Sequence, residues 1–521
     1  MIYTSQLKKF FLFVGFCVVF NFNLSCKKPN ETHQSTKDAI TILYIGDERI
    51  FHQEMWGMEA SFWIFLPLVA HVGEYNGEIK PVLAKSWTHS DDYRTWTVQL
   101  RKDIYWHDGV QMTAHDIKFT IDLRKELLIN EGNIRCELID DLTFTLTSYN
   151  PLSELPNWHV YYPKHLLEDL DPADFFNWDF WKAPIGNGPY KFVRNVPKTM
   201  VEVEANPNYF RSQPKIKKAI LKFSQKPSLQ ELLSGNVDAI TNVPRDFLFK
   251  IKDDDRFKSY YWWGTWVESL FWNHNNPLFK EANVRKALTM AIDRVELSKV
   301  LNYPDDIPIT DIMYSHNQKN TYLYSQNKKD TYDNFPTPLS YNPVKAIELL
   351  KECGWTDTNA DGILDKDGMD FQFNLTVTEA HLLMATYIQD KFKQIGIRME
   401  IETMEVNIVK QRLKKSNFEA LIIRFMNDQN VSELRKYFGE DSYIGYKNEK
   451  LDSILNLIED TGDINEIDRL YKELRPIFER DIPITFISPI VTTHIVNRKV
   501  KGLENLFRSD PVKALEFLWI E

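Results

Sequence analysis

The chain of 521 residues is too long for a single hydrophobic core, and its length predicts about two to four domains. Its contents of 43% hydrophobic and 26% charged residues are ordinary for a globular protein. The net charge of −10 argues against a nucleic-acid partner, which needs clustered Lys and Arg, and against a polybasic membrane-binding surface.

The amino-terminal segment has the pattern of an export signal. Lys8 and Lys9 form a positively charged region, and an apolar run follows from Phe10 to Phe22. That run of 13 residues is shorter than the roughly 20 needed to span a bilayer, so we expect residues 1–25 to be a cleaved signal peptide. Because the segment carries two lysines and no acid, its removal changes the net charge from −10 to −12.

The signal ends at Asn23-Leu24-Ser25-Cys26, which resembles a bacterial lipobox. Lipoboxes usually place Leu three residues before the cysteine, where this chain has Asn23. The resemblance implies that Cys26 carries a diacylglycerol anchor and that residues 26–38 form a polar, lipidated tether. The alternative is ordinary cleavage that leaves Cys26 unmodified.

The stretch from Pro81 to Asp122 predicts a compact unit of strands, turns and one helix. Ser90-Asp91-Asp92 is a turn signal, and the alternating apolar residues of Trp96–Leu100 predict a half-buried strand. Asp108-Gly109 predicts a second turn. Thr113, followed by an acid three positions later, predicts the beginning of a helix.

Later in the chain, helical and strand patterns alternate. We predict helices from the apolar stripe Val284–Val295, from Asn342 to Gly354, and from Met384 to Gly396. Ile397–Ile401 alternates as a strand, and the nearly all-apolar run Phe418–Phe425 suits a strand that is buried on both faces. The alternation predicts a mixed α/β class.

Two sequence patterns could suggest a catalytic pair and a calcium site, but both have simpler interpretations. His107 and Asp108 are adjacent, so their side chains point to opposite faces and a hairpin turn is favoured over a catalytic pair. Asp357–Gly362 matches the first half of a calcium loop, but position twelve is Gly368 and not the usual Glu. Because the sequence also has no G-x-S-x-G, H-E-x-x-H or Walker pattern, we expect no catalytic residue, no cofactor and no metal. Bound calcium is the alternative at the acidic turn.

Segments along most of the chain resemble the family 5 extracytoplasmic solute-binding proteins, the receptors of peptide-type ABC importers. Pro81–Asp122 is the most recognisable of them. The others are Pro184–Val193 (PIGNGPYKFV), Asn206–Phe210 (NPNYF), Leu229–Ile240 (LQELLSGNVDAI), Asn283–Leu297 (NVRKALTMAIDRVEL), Tyr341–Trp355 (YNPVKAIELLKECGW), Asp481–Pro483 and Val500–Leu503. Each is weakly specific alone, but together and in this order they cover about residues 40–521.

The resemblance implies an α/β, two-lobed periplasmic-binding-protein-like fold of type II, with an extra small α+β domain inserted in lobe I. The sequence itself supports only the mixed class and breakpoints near Gly186 and Asn283. The implied segments are 39–75, 186–283 and 485–521 for lobe I, 76–185 for the inserted domain and 284–484 for lobe III.

The aromatic-rich stretch Tyr260–Trp272 is a candidate wall of a binding site. In the order of the family, it lies where the chain crosses between lobes beside the ligand, and rings there would bury apolar parts of a ligand. Trp263 and Trp266 are the expected lining residues because Gly264 interrupts the run between them. Core packing of the aromatic residues is the alternative.

The loop after the run Phe418–Phe425 is the second candidate. In peptide receptors of this family the equivalent loop carries an Asp that pairs with the α-ammonium group of the peptide, and the matching position is Asp428, beside Asn427. The chain departs from the family here, because the usual Trp is Phe425 and Arg424 stands where a small residue is common. Arg424 could hold a ligand carboxylate or form an ion pair with Asp428.

We therefore expect a monomeric, non-enzymatic receptor, anchored by lipid in an extracytoplasmic or periplasmic location. It would capture a small solute, with an oligopeptide as the main expectation, by hinge closure between lobes. It would deliver that solute to ABC permease subunits in the inner membrane. Two alternatives stay open at this point: a surface lipoprotein of the same fold that binds a macromolecule, and a secreted hydrolase with an aromatic cleft.

Overall fold

The computed structural model describes residues 38–46, 61–70, 79–127, 134–158, 160–303, 339–426, 431–503 and 510–521, without the side chains of residues 262–265 and 426. The strands, numbered in chain order, are β1 Ala39–Ile45, β2 Val69–Ala70, β3 Lys80–Pro81, β4 Ala84–His89, β5 Thr95–Leu100, β6 Arg135–Leu138, β7 Thr143–Thr147, β8 Tyr190–Val196, β9 Met200–Ala205, β10 Lys218–Ser224, β11 Ala239–Thr241, β12 Phe257–Trp272, β13 Asp365–Lys366, β14 Met369–Asp370, β15 Gln372–Val377, β16 Arg398–Thr403, β17 Ala420–Met426, β18 Ile484–Asn497, β19 Val500–Lys501 and β20 Trp519–Ile520.

The α-helices are Ser61–Ile64, Ala114–Glu126, Lys164–Leu167, Leu229–Leu233, Asp246–Ile251, Ala282–Met290, Arg294–Val300, Pro343–Glu352, Leu382–Lys393, Val406–Lys414, Val431–Phe438, Glu449–Glu459 and Ile464–Asp481. Short 3₁₀ helices are Pro172–Asn177, Asp179–Lys182, Pro277–Phe279, Glu379–His381 and Leu515–Phe517. Helices and strands alternate along the chain, so the predicted mixed α/β class is confirmed. Within the described ranges, no helix combines the length and the apolarity needed to cross a bilayer.

One large sheet organises the described residues. Its ten strands follow the order β16-β15-β17-β12-β18-β11-β1-β10-β9-β8. We call β11, β1, β10, β9 and β8 the first half-sheet, and β17, β15 and β16 the second half-sheet. The long antiparallel strands β12 and β18, of 16 and 14 residues, lie between them and pair with each other over most of their length.

The sequence of β18 explains why it can occupy the centre of the sheet. ITFISPIVTTHIVN is rich in β-branched residues, and most of its side chains are buried, as expected for a strand covered on both faces. Pro489 pairs with Val267 directly beside a register shift of the β12–β18 ladder. Proline has no N–H to donate, so this irregularity is the place where a central strand tolerates it.

The predicted unit around Pro81–Asp122 is observed as a separate sheet of four strands, in the order β4-β5-β7-β6, packed with the helix Ala114–Glu126. The predicted strand at Trp96–Leu100 lies within β5. The predicted helix start is also confirmed, because the Asp116 carboxylate accepts a hydrogen bond from the Thr113 N–H at 2.8 Å. We call residues 84–147 of this sheet and helix the small unit.

Apolar side chains form separate cores on the two half-sheets. One core joins a face of the first half-sheet to the small unit, and another covers the opposite face of the first half-sheet. The second half-sheet has a core on each face, one packed with the helices Ala282–Met290 and Leu382–Lys393 and one packed with the helices after β17. The ten strands form one continuous sheet, but the apolar cores on its two halves are separate from each other.

One predicted helix differs in the structure. The stripe Val284–Val295 is divided between the helices Ala282–Met290 and Arg294–Val300. Asp293 begins the second helix, because its side chain accepts a hydrogen bond from the Glu296 N–H at 2.9 Å. Val295 is 61% exposed and so does not belong to the buried stripe.

Candidate ligand-binding site

The second half-sheet has a topological switch point. The chain leaves β15, forms the helix Leu382–Lys393 and enters β16 on one side, then forms the helix Val406–Lys414 and enters β17 on the other side. β15 is parallel to both neighbours, so the carboxyl ends of β15 and β17 lie at the same edge of the sheet. In α/β sheets, ligands usually bind in the crevice at such an edge.

β17 brings Arg424 to this edge, where it pairs in register with Glu268 of β12. The Arg424 Nε–H donates to the Glu268 Oε1 atom at 3.3 Å. The Glu268 side chain is only 9% exposed, whereas that of Arg424 is 57% exposed. None of the described residues accepts a hydrogen bond from the Arg424 Nη1 or Nη2 groups. The planar fork of the guanidinium can therefore meet a ligand carboxylate.

Glu268 is held from its other side by the turn that follows β15. The Nε2 atom of His381 lies 2.8 Å from Glu268 Oε2, and the Nδ1 atom of His381 lies 2.8 Å from the Thr378 hydroxyl. Burial acts to raise the pKa of the Glu268 carboxyl. The hydrogen bond from His381 and the charge of Arg424 outweigh burial, so the pKa lies below its ordinary value and Glu268 is ionised.

A second set of contacts connects this cluster to the first half-sheet. Ser488 of β18 is the register partner of Glu268, and its Oγ atom lies 3.3 Å from the Tyr303 hydroxyl. Burial raises the pKa of Tyr303, so this hydroxyl stays neutral. The Arg245 guanidinium stacks on the Tyr303 ring, with Cζ 4.1 Å from the ring centroid.

Arg245 and Tyr303 are carried by segments whose neighbouring residues pack in different cores. Arg245 follows β11 and is flanked by Val243 and Phe247, which pack in a core of the first half-sheet. Tyr303 follows the helix that carries Leu297, which packs in a core of the second half-sheet. The Arg245–Tyr303 contact therefore joins a segment of the first half-sheet to a segment of the second half-sheet, beside the central strands β12 and β18.

The aromatic segment crosses the same junction. The β12–β18 pairing is interrupted between Trp263 and Val267, so the backbone around Gly264 bulges from the ladder. Trp266 lies two residues before Glu268 on β12 and therefore on the same face of the strand, and it is 36% exposed. Trp266 is thus partly exposed on the face that carries the Glu268–Arg424 pair, and its contact with a ligand stays a prediction.

The structure brings together only part of the predicted site. Arg424 and Trp266 lie near one another at the switch point, because Trp266 pairs with the residue two positions after Arg424. Asp428, Asn427 and the side chain of Trp263 lie outside the described residues, so their roles stay predictions. The ion-pair partner that the structure shows for Arg424 is Glu268.

Sequence reasoning missed Glu268, His381 and Tyr303. One signal could have revealed Glu268, because it is the only charged residue in the otherwise apolar end of β12, VESLFW. His381 and Tyr303 each lie beside a helix end, and their sequence neighbours give no indication of a polar cluster.

The other two candidate patterns have structural roles. His107 contacts the backbone of Gly186 and Gly188 through its two ring nitrogens, at 3.2 and 3.1 Å, whereas Asp108 pairs with His165 at 2.8 Å. The two neighbours thus have different partners, as the turn interpretation predicts.

The acidic turn binds its own backbone. A carboxylate oxygen of Asp357 accepts from the Gly362 N–H at 3.0 Å, and one of Asp361 accepts from the Ile363 N–H at 2.8 Å. No group of three His, Cys, Asp or Glu residues that could hold a metal ion occurs in the described ranges. These contacts agree with the preferred prediction of a structural turn.

Comparison with known proteins decides the family. Residues 78–438 match the model for bacterial extracellular solute-binding proteins, family 5. The chain belongs to this family. Members are transport receptors and not enzymes, so the hydrolase alternative is wrong, and the chain is a substrate-binding protein of a peptide- or nickel-type ABC transporter.

Two similar relatives are named for different ligands. The oligopeptide-binding protein AppA of Bacillus subtilis is 26% identical over 503 residues, covering 89% of this chain and 88% of AppA. The nickel-binding periplasmic protein of Escherichia coli is 25% identical over 398 residues, covering 70% of this chain and 71% of that protein. The nickel-binding relative and the oligopeptide-binding protein OppA of Haemophilus influenzae are both named as periplasmic proteins.

Solved structures of family 5 proteins share the fold. AppA of Bacillus subtilis in complex with a nonapeptide has a TM-score of 0.69 at 23% identity, with 93% of this chain and 99% of AppA covered. NikZ of Campylobacter jejuni in complex with Ni(L-His) has a TM-score of 0.71 at 24% identity, with 93% and 100% covered. NikA of Brucella suis in complex with Fe(III)-EDTA has a TM-score of 0.78 at 18% identity, with 93% and 100% covered. The predicted fold class is thereby confirmed.

Proposed function

We propose that the protein captures an oligopeptide in a cleft between two lobes and presents it to an ABC permease in the membrane. It would be tethered by a lipid on Cys26 and act as a monomer. Closure around the ligand is a hinge motion that the ligand favours by touching both lobes. The observation that carries the proposal is the exposed guanidinium of Arg424, fixed by the buried Glu268 at the switch point.

The chemistry of this site favours a ligand with a carboxylate. Arg424 presents two terminal nitrogen groups in one plane, which matches the two oxygens of a carboxylate. Glu268 holds the guanidinium through Nε, and none of the described residues accepts a hydrogen bond from those terminal groups. An arginine that is already positioned loses less freedom when a ligand binds.

Two classes of ligand fit this requirement. Oligopeptides end in a carboxylate, and the relative AppA has been observed with a nonapeptide. Metal chelates are the second candidate, because the L-His and EDTA of the nickel-type complexes also carry carboxylates. We favour the oligopeptide because the similarity to AppA extends over 89% of this chain, compared with 70% for the nickel-binding relative.

Further residues would complete a peptide site. We propose that Asp428 pairs with the α-ammonium group of the peptide, that Asn427 binds its backbone, and that Trp263 and Trp266 cover its apolar side chains. Trp266 supports this arrangement by its partial exposure on the face that carries Arg424.

The hinge would lie in β12 and β18. We propose lobe I from residues 39–75, 186–283 and 485–521, the inserted domain from 76–185 and lobe III from 284–484. The separate cores of the two half-sheets support this division. The bulge after Trp263 supports a hinge in β12 itself, because a bulge weakens the ladder locally.

Native mass spectrometry of the purified protein tests the proposal. We expect a co-purified small ligand whose mass and fragmentation identify an oligopeptide. A bound nickel or iron chelate would favour the second candidate. Capture of a macromolecule with no small ligand would contradict the proposal and support the alternative of a surface lipoprotein that binds a macromolecule.

A further inference from the structure

A second contact joins two turns whose neighbouring residues pack in different cores. It lies outside the proposed hinge strands β12 and β18. Tyr93 is in the turn between β4 and β5 of the small unit, three residues before Trp96. Trp96 packs in the core that the small unit shares with the first half-sheet. Gly462 is in the turn between the helices Glu449–Glu459 and Ile464–Asp481, whose residues Ile458 and Ile467 pack in a core of the second half-sheet.

The two turns approach so closely that residue 462 has no room for a side chain. A Cβ atom added at Gly462 would overlap the Cβ and Cγ atoms of Tyr93 and would lie 3.0 Å from its Cδ1 atom. The overlap involves the base of the tyrosine side chain, which a change of rotamer moves little. An alanine at 462 therefore requires a separation of the two turns.

The backbone of Gly462 does not itself require glycine. Its φ angle lies outside the left-handed region that disfavours other residues. Both flanking residues are held locally, because the Asp463 N–H donates to the Thr461 hydroxyl at 3.2 Å and the Asp463 side chain begins the following helix. The nearest obstacle to a larger residue is thus Tyr93.

Tyr93 is held in an unusual conformation at this contact. Its φ angle is 56°, in the left-handed region that disfavours residues other than glycine. The Tyr93 N–H donates to the Ser90 carbonyl and its own carbonyl accepts from the Leu152 N–H, both at 2.9 Å. Its ring also stacks on His89, with ring centroids 4.3 Å apart. A strained residue held from three sides points to a role for its position.

We propose that Tyr93 and Gly462 form a clasp that positions the small unit against the helix pair 449–481 and so sets how far the cleft can close. Gly462 permits the approach, and Tyr93 supplies the contact surface. The clasp exists without a ligand. Its consequence for capture, that a looser clasp weakens ligand binding, depends on the proposed function.

A double-mutant cycle on the ligand-free full chain tests the clasp directly. We expect Gly462→Ala to increase the radius of gyration in X-ray scattering and to lower the midpoint of urea unfolding. In the Tyr93→Gly background the same change should do neither, because glycine lacks both the Cβ and the Cγ atoms that a side chain at residue 462 would overlap. Tyr93→Phe, which keeps the ring, should behave as the wild type.

The second measurement on the same variants is their affinity for a pool of synthetic oligopeptides. Calorimetry should show affinity about tenfold weaker for Gly462→Ala, equivalent to about 1.4 kcal/mol, but no further loss when Gly462→Ala is added to Tyr93→Gly. If the wild type binds no peptide, the proposed ligand class fails, and the ligand-free cycle still decides on the clasp. Equal effects of Gly462→Ala in both backgrounds, or no effect in either, would overturn the clasp.

Discussion

Glu268 and Arg424 face each other across β12 and β17, and the carboxylate is buried while its partner keeps 57% of its side chain exposed. Both oxygens of Glu268 are used inside the protein, one by Arg424 and one by His381. Glu268 is therefore a structural anchor, and Arg424 is the member of the pair that a ligand can reach.

The first prediction concerns the stability that Glu268 provides. Replacing Glu268 by Ala leaves the buried His381 without its acceptor, so the free energy of unfolding should fall by about 1–3 kcal/mol. Urea denaturation measures this change. Glu400→Ala is the matched control and should cost less, because Glu400 is an exposed glutamate on β16 of the same sheet. Equal losses for the two variants would show that Glu268 is not the anchor.

The second prediction concerns pH. The folded pKa of Glu268 lies below its ordinary value of 4.5, so unfolding raises it and the ionised group stabilises the fold above that value. This stability should be fully present at neutral pH and should be lost as the pH falls below about 4.5 towards the folded pKa.

The measurement is the difference in unfolding free energy between wild type and Glu268→Gln as a function of pH. Use of the difference removes the contribution of the other carboxylates. We expect the difference to decline as the pH falls below about 4.5, the ordinary pKa of a glutamate. A difference that grows over that range would mean that burial dominates and that the sign of the shift is wrong.

Much of the fold could be predicted because its signals are local. Alternation in Trp96–Leu100, the acid after Thr113 and the all-apolar run Phe418–Phe425 each indicate an element from a few neighbouring residues. The break between the helices Ala282–Met290 and Arg294–Val300 was missed, since the apolar spacing continues across it and only the cap at Asp293 marks the division.

The site was predicted less completely because it is assembled from distant segments. Trp266 and Arg424 were identified from their place in the chain, and they share one face of the sheet. His381 is 113 residues from Glu268, and Tyr303 is 185 residues from Ser488, so no local pattern could bring these pairs together. The register of β12 against β17 and β18 makes these contacts, and it is a property of the folded sheet.

The third prediction concerns recognition by Arg424. Arg424→Ala should weaken binding of the ligand identified by mass spectrometry about tenfold, or about 1.4 kcal/mol, because a carboxylate contact is lost. Arg424→Lys should recover only part of the affinity, since an ammonium group cannot contact both carboxylate oxygens in one plane. Isothermal calorimetry gives the affinities.

Arg398→Ala is the control for this prediction. Arg398 is an exposed arginine of the same sheet, on β16, where it contacts Gln372. Its removal should leave affinity unchanged. If Arg424→Ala binds as tightly as Arg398→Ala, Arg424 does not touch the ligand.

The fourth prediction concerns the membrane anchor. If Cys26 carries a diacylglycerol, the wild-type protein expressed in a bacterium should partition into the detergent phase of a Triton X-114 extract. Cys26→Ala should partition into the aqueous phase with its ligand affinity intact, because Cys26 is not one of the proposed ligand-binding residues. Wild-type protein that is found in the aqueous phase would show that the cysteine is not lipidated.

The central claim is that two halves, joined through β12 and β18, close over a solute that leaves unchanged. Small-angle X-ray scattering of the protein, first stripped of ligand by unfolding and refolding and then saturated with the identified ligand, tests this claim most directly. We predict a smaller radius of gyration with ligand, and mass spectrometry of the released ligand should show an unaltered molecule. An unchanged radius, or a ligand recovered as fragments, would contradict the account.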